Sequence, residues 1–382
     1  MKNNIFDFAT SELSQDAFIC WCVNWFNDDS KPELKDMAIN LLKRLSGAEK
    51  IEQVKIFRQF SEKVTLEEKG VSTEIKLKID VLLIVNGSIA VIIEDKTYTG
   101  EHDDQIARYE RGLRHLSANT KEYEDFAGVE QVRTVYLKTG FIYDDDKLVK
   151  ADLVIGGESF LGLLSPYEGN SEILDSYVAH LRELLEWYSV HGRYAELDRA
   201  NGKWNVSQHQ IAQYRLMREI FPEETWWTDR DPGKWNYRVY HGSNRDGSPW
   251  TQMCICDSAY RGTNDKYHVF WRIDTDNKGP YISLRFYEGF NKGDKAKKER
   301  HKDLYNVMSR TVREIVEQHC DLFYFGWEDV NPGYCGNYKE PSLIHLAIMD
   351  KLKNWSAEKE SVIRSVLELT RFFDEQAKQI NM

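Results

Sequence analysis

The stretch IDVLLIVNGSIAVIIEDK, residues 79–96, decides the predicted fold of this chain. Two apolar, β-branched runs, residues 81–85 and 89–93, are separated by Asn86-Gly87-Ser88, which is typical of a hairpin loop. Runs that are apolar on both faces indicate central strands covered by helices on both sides. We therefore predict an α/β core, α+β over the whole chain, with a mixed sheet between helices.

Charged residues stand at both ends of this hairpin: Asp80 begins the first run, and Glu94 and Lys96 end the second. Carboxylates beside a core are costly unless a partner compensates their charge, and a divalent cation is one such partner. Oxygen ligands suit Mg²⁺ or Mn²⁺, and Mg²⁺ usually takes one or two carboxylates with water and phosphate. Glu94 and Lys96 point to the same strand face, where a lysine can orient or deprotonate a water. The alternative is a structural salt bridge with Lys96 or Lys78.

The length of the loop at residues 86–88 decides whether Asp80 joins the other two side chains. With a two-residue loop, Asp80 would pair with Ile93 and point away from Glu94. A three-residue loop shifts the register by one and brings Asp80 onto the face of Glu94 and Lys96. The metal-site interpretation therefore requires an odd-length loop, or a bulge, at this position.

The remaining periodicity predicts two domains, residues 1–195 and 196–382. In the first domain, helices are predicted for residues 11–26, 32–45, 103–118 and 171–189, and strands for 51–66 and 132–138. In the second, helices are predicted for 207–221, 294–319 and 356–378, a strand meander for 235–241, 250–257, 267–274 and 281–287, and a further strand for 321–327. Gly156-Gly157 is interpreted as a lone turn.

With this placement, Asp80, thirteen intervening residues and then Glu94-Asp95-Lys96 resemble the signature of the PD-(D/E)xK nuclease superfamily, which has the restriction-endonuclease-like fold. The proline that precedes the first aspartate in that signature is replaced here by Ile79. The opening ELSQDAFICW also resembles that of an uncharacterised bacterial subgroup of the superfamily. The resemblance covers about residues 5–160. It implies that Asp80 and Glu94 are catalytic and bind metal, that the backbone carbonyl of Asp95 is a further ligand, and that Lys96 is catalytic.

Two further elements agree with this resemblance. Gln105 with Tyr109 resembles the Q-x-x-x-Y element of the recombination-exonuclease branch, which implies a catalytic role for Gln105 and a nucleic-acid contact for Tyr109. Glu12 resembles the acidic residue that many members supply from their first helix as an additional metal or water ligand. The alternatives are a solvent-facing Gln105, a Tyr109 that packs and orients a neighbour through its hydroxyl, and a Glu12 favoured by the helix dipole.

The segment KGDKAKKERHK, residues 292–302, carries six Lys or Arg residues against two acids. It is the one dense basic cluster in a chain of net charge −11, and it follows Phe286, Tyr287 and Phe290, which could stack on bases. Such a run is either a solvated helix face or a surface that contacts phosphates. The residues of that predicted surface are Lys295, Lys297, Lys298 and Arg300. Residues 196–382 are predicted to serve target recognition or assembly.

Composition limits the class of protein further. The chain is 41% hydrophobic and 13% aromatic, which supports a large core and excludes wholesale disorder. No apolar run approaches the ~18 residues needed to span a bilayer, and the N-terminus lacks the pattern of a secretory signal. The six cysteines are expected to be reduced thiols. We therefore predict a soluble, cytoplasmic protein without a membrane partner.

Residues and resemblance together predict a Mg²⁺- or Mn²⁺-dependent nuclease that hydrolyses phosphodiester bonds of nucleic acid, with DNA as the expected substrate. The resemblance implies a setting in bacterial defence, restriction or repair. One alternative is a catalytically silent nuclease-fold module that binds or senses nucleic acid, although the presence of Asp80, Glu94 and Lys96 argues against it. Another is a structural or regulatory protein whose function lies in its second domain. The oligomeric state is left open, a homodimer included.

Overall fold

A computed structural model describes residues 4–9, 12–68, 71–100, 104–118, 124–144, 146–193, 205–222, 239–257, 267–276, 279–288, 293–319, 340–347 and 355–377. The chain divides into two compact units, residues 1–190 and 191–382. None of the helices in these ranges is both long enough and apolar enough to cross a membrane.

The first unit is built on a mixed five-stranded sheet in the order β1-β2-β3-β4-β5. Neighbouring strands are antiparallel from β1 to β3 and parallel from β3 to β5. The strands are β1 (Val54–Glu68), β2 (Val71–Val85), β3 (Ile89–Lys96), β4 (Gln131–Lys138) and β5 (Leu153–Gly156). The helices are α1 (Glu12–Asn24), α2 (Pro32–Ser46), α3 (Gln105–Ala118), α4 (Gly157–Leu164) and α5 (Glu172–Val190).

Helices cover both faces of this sheet, as the apolar hairpin predicted. Val81 and Val91 are buried in a core that also contains apolar residues of α1, α2 and α5. Leu82 and Ile92 are buried in a second core, here named the α3-side core, with Leu113 of α3. Adjacent residues of β2 and of β3 therefore enter different cores, which is why both strands are apolar almost throughout. The predicted mixed sheet flanked by helices is confirmed.

The structure corrects two element predictions in this unit. Gly156-Gly157 is not a lone turn, because Gly156 ends β5 and Gly157 begins α4. β2 begins at Val71, well before the apolar run at residues 81–85. In its first half, Ile75 and Leu77 are buried while Lys76 between them is exposed, so this part of the strand has one face in the core and one face in solvent.

The second unit contains a five-stranded antiparallel sheet in the order β10-β9-β8-β7-β6. The predicted four-strand meander is confirmed, and β10, which was not predicted, pairs with β9. The strand predicted for residues 321–327 lies outside the described residues. The strands are β6 (Val239–Ser243), β7 (Pro249–Asp257), β8 (Tyr267–Asp276), β9 (Gly279–Glu288) and β10 (Ser342–Ala347), and the helices are α6 (Val206–Ile220), α7 (Lys295–Gln318) and α8 (Trp355–Ala377).

Candidate active site

The loop between β2 and β3 has three residues, which is the length that the metal-site interpretation required. Val85 pairs with Ile89 across residues 86–88. The first two loop residues have φ values of 55° and 68°, in the left-handed region that Asn and Gly adopt most easily. The same register, continued towards the other end of the hairpin, places Asp80 opposite Glu94 and on the same face.

Asp80, Glu94 and Lys96 therefore come together at the end of the β2–β3 pairing. The Lys96 ammonium lies 2.5 Å from Glu94 Oε1 and 3.7 Å from Asp80 Oδ2. Glu94 is completely buried, whereas the Asp80 side chain is 21% exposed. The salt bridge considered as an alternative is thus present, but in it one ammonium faces two carboxylates. The cluster reaches solvent on the side of Asp80.

This arrangement also sets the charge state of Lys96. Burial disfavours the ammonium, but the charges of Glu94 and Asp80 outweigh burial and raise the pKa of Lys96 above its usual range. Without a metal ion, Lys96 is therefore protonated at neutral pH and acts as a hydrogen-bond donor.

The donor set at this position fits a divalent cation that protein and substrate hold jointly. Asp80 and Glu94 supply carboxylate oxygens, and the backbone carbonyl of Asp95 is a third predicted oxygen donor. Within the described ranges, no three His, Cys, Asp or Glu side chains are close enough to enclose a cation by themselves. Mg²⁺ and Mn²⁺ accept such sets, because water and substrate phosphate complete the coordination.

A second pair of carboxyl groups lies beside the first, between α1 and β3. Asp16 and Asp95 are both buried, and Asp16 Oδ1 and Asp95 Oδ2 have no hydrogen-bond donor among the described residues. Burial of two neighbouring carboxyl groups disfavours the ionised form of both. Burial and the charge of Asp16 raise the pKa of Asp95 well above its usual value, while burial and the charge of Asp80 raise the pKa of Asp16 to about 6. Asp16 was not predicted, although it lies one helical turn after Glu12 and so shares its helix face.

Gln15 of α1 holds this pair against the sheet. Its side-chain amide donates to Asp95 Oδ1. Its Oε1 accepts hydrogen bonds from the hydroxyls of Thr139 at 2.8 Å, Tyr177 at 3.1 Å and Thr97 at 3.3 Å. These partners follow β4, lie in α5 and follow β3, so one buried glutamine fixes α1 to three separate elements. Gln15 lies within the opening ELSQDAFICW, but no spacing pattern in that stretch singles it out.

Glu12 lies at the start of α1, beside the segment that follows Lys96. Its Oε1 accepts hydrogen bonds from Thr99 Oγ1 at 2.7 Å and from the backbone N–H of Thr97 at 3.3 Å. Its charge also helps to raise the pKa of Lys96 against the opposing effect of burial, although less than the charges of Glu94 and Asp80 do. Its role as an additional metal or water ligand stays a prediction.

Lys138, at the end of β4, is a buried lysine that the sequence interpretation missed. It lies opposite Lys96 in the register of the two parallel strands. Its ammonium donates to the backbone carbonyl of Thr99 and lies 3.7 Å from Asp146 Oδ2. Burial lowers the pKa of Lys138, although Asp146 opposes this effect. The sequence signal is an apolar strand that ends in lysine, as β3 does.

Gln105 and Tyr109 contact each other in the first turn of α3. Gln105 Nε2 donates to the Tyr109 hydroxyl at 2.8 Å. The Tyr109 side chain is only 2% exposed and lies in the α3-side core. The ring therefore has a packing role, and the predicted nucleic-acid contact of Tyr109 depends on its hydroxyl. The catalytic role of Gln105 stays a prediction.

The basic residues of the second unit lie in the first turns of α7. Asp294 caps this helix, because its Oδ1 accepts a hydrogen bond from the backbone N–H of Lys297 at 3.0 Å. Cations at a helix N-terminus oppose the helix dipole, so the helix itself gains nothing from them. Of the four predicted phosphate contacts, Lys295 and Lys297 are exposed. Lys298 and Arg300 are half-buried. Their contact with phosphates stays a prediction, and Lys292 lies outside the described residues.

Comparison with known families agrees with this geometry. A model of the PD-(D/E)XK nuclease superfamily matches residues 3–214. The match covers more than half of the chain, and the chain belongs to this superfamily. The matched region extends past residue 160, where the sequence resemblance ended, and stops within α6. No curated protein and no solved structure gives a significant match. Membership indicates nuclease activity.

Proposed function

We propose that this protein is a Mg²⁺- or Mn²⁺-dependent nuclease that hydrolyses phosphodiester bonds of DNA, with Asp80, Glu94 and Lys96 as its catalytic residues. The observation that carries this proposal is the three-residue loop between β2 and β3. That loop sets the register in which both carboxylates lie within 3.7 Å of one ammonium. Superfamily membership supports the same reaction class.

Each of these residues has a separate role in the proposed reaction. Asp80 and Glu94 would hold the cation together with the backbone carbonyl of Asp95. When bound, the cation stabilises charge on the phosphate and lowers the pKa of a bound water. Lys96 lies on the same strand face as Glu94, so its ammonium can orient the attacking water and balance charge on the phosphate.

The charge balance of the site supports a cationic cofactor. Asp80 and Glu94 carry two negative charges, and among the described residues the one ammonium that faces both is that of Lys96. Asp16 adds a further carboxyl group close enough for the charge of Asp80 to raise its pKa. Such a surplus of anions is costly in a buried site unless a cation is bound.

DNA as the substrate, and bacterial defence, restriction or repair as the setting, are proposed from the family resemblance. The hydrogen bond between Gln105 and Tyr109 supports the likeness to the recombination-exonuclease branch. The cations at the start of α7 are the proposed phosphate contacts of the second unit: Lys295, Lys297, Lys298 and Arg300.

The test is a cleavage assay on duplex DNA, single-stranded DNA and RNA of one sequence, each with Mg²⁺, with Mn²⁺ and with EDTA. We expect metal-dependent cleavage of DNA and none with EDTA. A crystal soaked in Mn²⁺ should show anomalous scattering between Asp80 and Glu94. Cleavage of RNA alone would show that the substrate is RNA and not DNA. Binding of DNA without cleavage in either metal would favour the silent binding module instead.

A further inference from the structure

The pairing of β1 with β2 is interrupted at one point, and that point adjoins the candidate active site. The register is regular on both sides of the interruption and skips one residue in each strand, Gln59 in β1 and Asp80 in β2. On β1, Phe57 before the break and Phe60 after it both pack against the α3-side core. Because strict alternation would put these two rings on opposite faces, the side-chain alternation shifts at the break. The predicted catalytic aspartate therefore lies where the ladder is interrupted.

Gln59 also has an unusual backbone conformation. Its φ is 53°, in the left-handed region, which is unfavourable for a residue with a Cβ atom and costs glycine little. Among the residues described, Asn86 and Asp104 share this feature, but both lie in loops and are types that tolerate it. Gln59 lies inside a strand of 15 residues. Strain of this kind beside a site suggests that the residue has a function there.

The Gln59 side chain lies between two carboxylates. Its Nε2 donates to Asp16 Oδ2 at 2.6 Å and reaches Asp80 Oδ1 at 3.4 Å. The other oxygen of Asp80 accepts a hydrogen bond from the backbone N–H of Asp95 at 3.2 Å and faces the Lys96 ammonium. Both oxygens of Asp80 thus have defined partners. A neutral donor between Asp16 and Asp80 also separates two groups that repel each other when charged.

We propose that Gln59 is a positioning residue for Asp80. Its left-handed backbone forms the break in the β1–β2 ladder, and its amide holds the Asp80 carboxylate towards Glu94 and Lys96 and apart from Asp16. The proposal deepens the proposed nuclease function and rests on it for the activity readouts. Because Gln59 acts through Asp80, the amide should affect metal affinity and kcat and leave KM unchanged.

Two substitutions separate the backbone from the side chain. Gln59→Gly relieves the strained φ and removes the amide, whereas Gln59→Asn tolerates the same φ and keeps an amide on a shorter side chain. Ser61→Gly is the matched control, because it introduces glycine at another exposed position of the same strand. Ser61 has no left-handed φ, and it pairs with Lys78 and not with a residue of the site.

The measurements are calorimetric titration with Mn²⁺ alone, thermal unfolding, and steady-state cleavage. Gln59→Gly should keep or raise Tm, weaken Mn²⁺ binding by about threefold to tenfold, the usual effect of losing one hydrogen bond, and lower kcat at constant KM. Gln59→Asn should recover part of both losses. Ser61→Gly should leave Mn²⁺ affinity and kcat at the wild-type values.

A Gln59→Gly protein with wild-type Mn²⁺ affinity and kcat would overturn the positioning role. Equal losses in Gln59→Gly and Gln59→Asn would also overturn it, because the amide would then have no effect. A wild-type protein that cleaves no nucleic acid would instead overturn the proposed function. In that case Mn²⁺ affinity and a crystal structure of Gln59→Gly still test the positioning role. An Asp80 carboxylate that points in the same direction as in the wild-type protein would reject the positioning role.

Discussion

The two units of this chain both bury charged side chains against a sheet, and they balance the charge in different ways. In the second unit, Arg272 and Arg285 face Asp274 and Glu340, which makes two cations and two anions. The guanidinium nitrogens of Arg272 donate to Asp274, Glu340 and Asn244, each at 2.7 Å. This network is complete without any ligand.

The first unit has the opposite balance. Lys96 faces both Asp80 and Glu94, and the buried carboxyl groups of Asp16 and Asp95 lie next to them. Breaking a satisfied buried ion pair is expensive, whereas removing one anion from a surplus relieves repulsion. Charge in the second unit therefore stabilises the fold, and charge in the first unit is available for a cation. Substitutions that remove single charges from each cluster test this difference.

The largest effect is expected at the two carboxylates that we propose to be catalytic. Glu94→Gln and Asp80→Asn should lower the rate of metal-dependent cleavage by on the order of a thousandfold, because metal assistance contributes several kcal/mol to transition-state stabilisation. The Tm of metal-free protein should stay the same or rise, since each change reduces the anion surplus. Single-turnover cleavage and thermal unfolding are the measurements. Glu130→Gln, an exposed acid before β4, is the control. Rates within tenfold of wild type in both variants would reject the site.

Removal of one buried anion from the second unit should have the opposite result, a loss of stability without a loss of metal binding. Asp274→Asn leaves two buried guanidinium groups short of an anion and should destabilise the second unit by about 3 kcal/mol. Hydrogen exchange of β8 and β9 amides under native conditions measures this loss, and Mn²⁺ affinity should not change. Asp246→Asn, at a neighbouring exposed acid, is the control. If both variants cost the same, the network does not stabilise the fold as argued.

Substitution of Lys96 tests whether metal binding and catalysis depend on different residues of the first unit. Lys96→Ala should keep Mn²⁺ affinity, because the surplus of anions grows, and should lower kcat by about a hundredfold, as expected for a group that acts on water and phosphate. Calorimetric titration and cleavage rates of the variant test both statements. Lys78→Ala, an exposed lysine two residues before Asp80, is the control. Loss of Mn²⁺ binding in Lys96→Ala would mean that the lysine mainly holds the carboxylates in place.

The residues of the hairpin were enough to predict the mixed sheet with helices on both faces and to select Asp80, Glu94 and Lys96 as candidate catalytic residues, a role that stays a prediction. Loop length could be stated only as a condition, because Asn-Gly alone is typical of two-residue turns. In the folded chain, the Asn86 side chain donates to the carbonyl of Lys50 and accepts from the backbone N–H of Glu52, each at 2.8 Å. These contacts are distant in sequence, and no local pattern contains them.

Gln59 and Gln15 show where sequence interpretation ends. Both are polar residues whose importance comes from packing between α1 and the sheet, and neither belongs to a spacing pattern. The short elements α4 and β10 were missed for a related reason. A Gly-Gly pair permits a turn as well as a strand-to-helix junction, and a strand of six residues at a sheet edge gives little periodicity.

A smaller effect is expected from the basic start of α7. Changing Lys295, Lys297, Lys298 and Arg300 together to Gln, in a Glu94→Gln background that prevents cleavage, should weaken duplex binding about tenfold and lower the slope of log K against log salt by about 0.9 per lost phosphate contact. Electrophoretic or fluorescence titration at several salt concentrations measures both. The matched control neutralises four exposed lysines of the first unit, Lys31, Lys43, Lys50 and Lys150. Unchanged affinity and slope would identify the run as a solvated helix face.

The smallest effect should come from Asp16, and its sign depends on pH. The folded protein raises the pKa of Asp16 from 3.8 to about 6, chiefly through burial and secondly through the charge of Asp80. Folding therefore strengthens proton binding, so the stability that this group contributes is present below about pH 4 and is lost as pH rises through about 6. Asp16→Asn does not titrate and should be more stable than wild type by about 1 kcal/mol at neutral pH, with the difference vanishing in acid. Urea unfolding in EDTA across this pH range measures the difference.

Asp246→Asn should show the opposite sign, because hydrogen bonds from Ser248 lower the pKa of Asp246 and so favour its ionised form. Stability curves of Asp16→Asn and wild type that stay parallel over the whole range would show that Asp16 is not part of the anion surplus.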